Sequence, residues 1–96
     1  MPIFAENYHN MEITFQKEGN LYVAVVEVNA DYNLHIECEE PSSFVVYQRT
    51  AGTRFATKHS VVGVDIIDDD FDGIVYPKTI KITSTKPAVV AEIIEA

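Results

Sequence analysis

LYVAVVEV, residues Leu21 to Val28, is the longest apolar run in the chain, and turn-forming residues flank it: Gly19-Asn20 before, Asn29-Ala30-Asp31 after. Both of its alternating sets are apolar, Leu21/Val23/Val25 on one side and Tyr22/Ala24/Val26/Val28 on the other, with Glu27 the one interruption. A strand that is apolar on both sides needs cover on both sides. The run therefore predicts the central strand of a small β domain, with Val23 and Val25 inside.

Working outward, Gly19-Asn20 is a two-residue loop of residues that tolerate positive φ, which predicts a hairpin with the segment before it. That segment, MEITFQKE (11–18), alternates Met11, Ile13 and Phe15 with Glu12, Thr14 and Gln16, the pattern of one half-buried strand. Residues 1–10 show no period and read as an N-terminal arm that Phe4 and Tyr8 could dock.

Downstream, LHIECEE places Leu34, Ile36 and Cys38 on one face, and Pro41-Ser42-Ser43 predicts its end. FVVYQRT (44–50) is the next strand. FATKHSVV (55–62) follows the Ala51-Gly52 turn, and Gly63 within VVGVDII predicts a bulge or a change of direction. Ile74-Val75-Tyr76, TIKITS with Ile80 and Ile82 inward, and AVVAEIIE complete the set.

Seven or eight such strands, with turn signals between them and no helical period, predict an all-β fold: an antiparallel β-sandwich forming one domain over residues 1–96. The pattern resembles immunoglobulin-like and fibronectin-like sandwiches in general architecture, without their Cys/Trp/Cys framework. Cys38 is the single cysteine, and there is no tryptophan.

The 96 residues are 47% hydrophobic and 23% charged, enough for one packed core and too apolar for a disordered chain. The formal net charge of -8 repels phosphate backbones, so nucleic acid and anionic membrane are poor partners. No signal peptide is evident, and no apolar run approaches the roughly 20 residues that cross a bilayer. A cytoplasmic location is the default expectation.

Several clusters invite chemistry. Asp68, Asp70 and Asp72 alternate ahead of Gly73, the opening of a calcium loop whose alternate oxygens can converge on one ion. The twelfth position is Thr79, where such a loop has a bidentate glutamate, so a solvated acidic turn is the competing reading and calcium the one cofactor to consider. His35, Glu37 and His59 could hold a transition metal if neighbouring strands brought them together. Cys38 is in phase with Leu34 and Ile36, which makes it a small buried hydrophobe.

Arg49, Arg54 and Lys58 form a basic cluster that calls for an anionic neighbour, within the chain or on a ligand or partner. In the last strand Val90 and Ile94 point away from the face of Val89, Ala91 and Ile93, leaving an apolar surface for a second chain or for the N-terminal arm. Together these features predict a non-catalytic interaction or assembly module with a protein partner, or self-association as a closed dimer. A calcium-dependent ligand-binding module, for carbohydrate among other ligands, is the alternative, and a metal-dependent enzyme ranks below it. Calorimetry on a calcium-stripped sample is expected to show at most weak binding, because the final chelator is missing; submicromolar affinity would favour the calcium module.

Overall fold

The computed structural model describes residues 9–50, 52–70 and 77–95. Its regular structure is all strand: β1 (His9–Glu12), β2 (Gln16–Glu18), β3 (Leu21–Val28), β4 (Tyr32–Thr50), β5 (Ala56–Asp70), β6 (Lys78–Ser84) and β7 (Ala88–Glu95). The strands make one antiparallel sheet, curled into a half-barrel, in the order β1-β7-β4-β6-β3-β2, with β5 along the other side of β4. Among the described residues no helix is long and apolar enough to cross a membrane. The segment Ile74–Tyr76 lies outside the described residues.

The β4–β5 ribbon organises the sheet. β4 has 19 residues and would be about 60 Å long if straight, yet the largest extent of the molecule is 38 Å. The ribbon must bend, and it does so between the pairs Glu37↔Asp65 and Ser42↔Gly63, where residues 38–41 of β4 stand against Val64 alone. Gly63 thus marks the change of direction that its position predicts.

Pro41 does not end the strand, contrary to its reading as a terminator. It falls at the bend, between the last β7 pair, Cys38↔Ala88, and the first β6 pair, Phe44↔Ser84, where its missing N–H costs no ladder bond.

The bend divides the sheet into two wings. In the first, residues 32–38 of β4 and 65–70 of β5 continue into β7 and β1. In the second, residues 42–50 of β4 and 56–63 of β5 continue into β6, β3 and β2. The inner faces of both wings share one core, which includes Tyr32, Leu34, Ile36, Phe44, Val46, Ile66, Ile80, Ile82 and Ile93.

Two expectations need correcting. β3 lies between β2 and β6, one strand from an edge, and only its even-numbered set turns inward: Ala24 and Val28 are buried, while Val25 is 58% exposed. Two apolar sets alternate in this strand, but a curled sheet has one concave side, so only one set is covered. MEITFQKE is likewise two strands, because residues 13–15 cross from the edge of the first wing to the edge of the second, carrying Ile13 into the core. The Gly19-Asn20 hairpin is present, with Glu18 opposite Leu21 and Gly19 at a φ of 63°.

Urea denaturation should separate the two kinds of position. Ile36→Ala is expected to cost about 3 kcal/mol through the cavity it leaves, whereas Val25→Ala should cost less than about 1 kcal/mol.

Candidate functional site

Lys58 and Asp68 lie ten residues apart on the same strand, a separation of about 33 Å along a straight one. Their side chains meet at 2.8 Å, Nζ to Oδ2, because the ribbon folds back on itself. A second irregularity makes the meeting possible. Val46 pairs with His59 and Tyr47 with Thr57, which leaves Lys58 as an extra, unpaired residue. Neighbours on a regular strand point to opposite faces, but here the bulge lets Lys58 and His59 reach the same carboxylate.

The resulting cluster is dense. Asp68 accepts from Lys58 at one oxygen, with the Tyr32 hydroxyl 3.5 Å from that oxygen, and His59 Nδ1 lies 3.2 Å from the other. Lys58 also donates to the Asp69 carbonyl at 2.6 Å. Beside it Lys78, 2% exposed, donates to Asp70 at 2.6 Å. An ammonium buried that deeply needs a charged partner, and Lys78 on the second wing finds it on the first. Asn29 N donates to Glu95 Oε2 at 2.6 Å and adds a further tie across the wings.

The sequence-predicted residues are thereby redistributed. Asp68 and Asp70 sit in a strand, buried, each with a lysine ammonium on its carboxylate, and Asp72 lies outside the described residues. Of the basic cluster, Lys58 turns inward to Asp68. Arg49 and Arg54 remain at the surface, and all three basic residues line one hollow of about 350 Å³ with Gln48, Ala56 and three threonines. Arg49 is opposite Thr79 of β6, and Arg54 is in the loop between β4 and β5.

His35 and His59 fall on opposite faces. His59 pairs with buried Val46, while His35 pairs with the exposed Ile67 and lies 3.9 Å from Glu37. Cys38 is buried, with Ser84 Oγ and the Lys86 carbonyl as its polar contacts. Ser42, Ser84 and Thr85 form a hydrogen-bonded knot beside it at the bend.

Val90 and Ile94 are half-buried on the outer face of the first wing, opposite Glu37 and Asn33. Their strand is not an edge, because β1 pairs with β7 from His9↔Glu95 to Glu12↔Glu92. Residues assigned to the arm thus begin a strand, and the docking residues Phe4 and Tyr8 lie outside the described residues.

Two features were not anticipated from the sequence. One is a cleft of about 750 Å³ where residues 13–15 bridge the wings, lined by Ile13, Phe15, Tyr22 and Val89 together with Glu12 and Glu92. The other is a stack on the outer face of the second wing. Arg49 lies 4.5 Å from the centroid of the Phe55 ring, and Lys81 lies 5.4 Å from that ring and 5.2 Å from Tyr47. The Tyr47↔Lys81 pairing that builds it could be found only with the register. No family model matches the chain, and no curated protein or solved structure matches it.

Asp68 is the shared acceptor of the inner cluster, and a paired side-chain deletion tests that role. Asp68→Ala is expected to cost about 2–3 kcal/mol, because it removes the one acceptor that Lys58, His59 and the Tyr32 hydroxyl share. Lys58→Ala should cost about 1 kcal/mol, since His59 and Tyr32 stay on the carboxylate. Equal shifts in denaturant midpoint would deny Asp68 that role.

Proposed function

We propose that this domain is a non-catalytic interaction or assembly module that presents the outer surfaces of its curled sheet to a protein partner. In this reading its two wings close on one core as the layers of an immunoglobulin-like sandwich do. The observation that carries it is the outer face of the second wing. There Arg49 and Lys81 are held against aromatic rings, with no carboxylate in ion-pair reach among the described residues.

Val25 lies on the same face, and Val62, 78% exposed, extends it. Aromatic rings, arginine and exposed aliphatic groups together are the composition of protein-binding surfaces, where a ring-stacked guanidinium is already ordered before the partner arrives. The inner polar groups support the same reading from the other side. Asp68, His59 and Lys58 satisfy one another, and every buried side-chain nitrogen and oxygen among the described residues has a hydrogen-bond partner. That chemistry is spent on holding the wings together.

A photoreactive amino acid in place of Val25, introduced in the native host, is expected to give a covalent protein adduct. The same group at Glu39, exposed at the bend, should give none. No adduct at Val25, or equal adducts at both positions, would count against the reading.

A further inference from the structure

The two outer surfaces of the sheet carry opposite charge. On the first wing the register sets carboxylate directly against carboxylate twice, Glu37 opposite Asp65 and Glu12 opposite Glu92, and Asp69 lies on the same face. Like charges in directly opposed positions destabilise the sheet that carries them. Near their centre Ile67 stands 64% exposed.

On the second wing the outer face has Arg49 and Lys81 over their rings, Val25 beside Lys81 and Arg54 at the adjoining loop, with the carboxylates Glu27, opposite Thr79, and Glu18 toward its β2 edge. Each surface has the charge and the exposed aliphatic group that the other needs, and the chain does not bring the two together. Lys58 and Lys78, by contrast, have both found carboxylates inside.

We propose that the partner is a second copy of this chain, docked head to tail: the acidic outer face of the first wing of one copy against the cationic, aromatic outer face of the second wing of the next. This rests on the reading of the domain as an interaction module and names its partner. The charge pattern also selects the symmetry. A two-fold dimer through the first-wing face would set its carboxylates against one another, whereas that face against the ring-stacked cations of the second wing pairs unlike charges and places Ile67 near Val25.

Unlike faces make a heterologous contact, so each copy keeps one free face of each kind, and assembly runs on to a ring or a filament. The net charge of -8 opposes indiscriminate clustering, and a contact made of surface charges weakens as salt shortens the screening length.

The test neutralises one face at a time: Glu37→Gln with Asp65→Asn on the first wing, Arg49→Gln with Lys81→Gln on the second. Sedimentation velocity at low salt, from micromolar to submillimolar protein, should show the parent chain assembling and added salt dispersing it. Each double variant should self-associate about tenfold more weakly or less. A mixture of the two should form a heterodimer of one of each, because one intact acidic face meets one intact cationic face and growth then stops.

Unchanged circular dichroism and denaturant midpoints confirm that the variants fold; should a pair fail, Asp69→Asn and Arg54→Gln weaken the same faces from their margins. A parent chain that stays monomeric throughout, assembly that survives either neutralisation, or a mixture that forms no heterodimer overturns the proposal. If Val25 then still crosslinks to a different protein, the interaction module stands and only its partner was misassigned. If Val25 crosslinks to nothing, both fail.

Discussion

The rest of the structure depends on the return of one strand onto itself. β5 leaves Lys58, bends at Gly63 and Val64, and brings Asp68 back to within 2.8 Å of the ammonium where the strand began. Every inter-wing contact follows from that bend. Without it the ribbon would be a long flat hairpin with one apolar face and no second layer to cover it, an arrangement that is marginal in water.

Hydrophobic cover and ionic closure have different parts in this. The core of Leu34, Ile36, Val46, Ile80, Ile82 and Ile93 supplies the driving force, since area removed from water scales with the apolar surface of both wings. The ion pairs are poor sources of net stability. Desolvating Lys78 and Asp70 costs several kcal/mol per ion, of the order that their attraction returns. What they add is a single arrangement: a buried ammonium and a buried carboxylate exclude any register of the two wings that would leave either one alone.

The same division of charge explains the surface. Among the described residues Lys58, Lys78 and Lys86 lie within ion-pair distance of carboxylates, and Lys78 is buried. The outer face of the first wing has Glu12, Glu37, Asp65, Asp69 and Glu92 among His35, Asn33 and the aliphatic Ile67, Val90 and Ile94, with no lysine or arginine among its paired residues. Arg49 and Lys81 gather on the other wing, where rings rather than acids receive them. A chain acidic overall thus keeps its ring-stacked cations together on one side, which suits directed contact better than indiscriminate adhesion.

Much of this was legible in the residues themselves. Period-two alternation in LHIECEE and TIKITS names Leu34, Ile36, Cys38, Ile80 and Ile82 as buried, because one residue in two must face the core whatever the strand order. Gly19-Asn20 specifies its hairpin through local backbone geometry. Where a segment offers two equal choices, local pattern gives no answer. Both sets of LYVAVVEV are apolar, and only the curl of the sheet decides that Ala24 and Val28 are covered and Val25 is not.

Pro41 reads as a stop, because nothing local reveals that both neighbouring ladders are interrupted at that place. The DDD run reads as a calcium loop or a wet turn, because its lysines come from the far end of the same strand and from β6. The sequence by itself determined the all-β alternation, the Gly19-Asn20 hairpin and most of the core, through interactions between residues close along the chain. The tertiary structure alone decided which face is inside and which charges meet, since those depend on a bend that brings together residues eight or more positions apart.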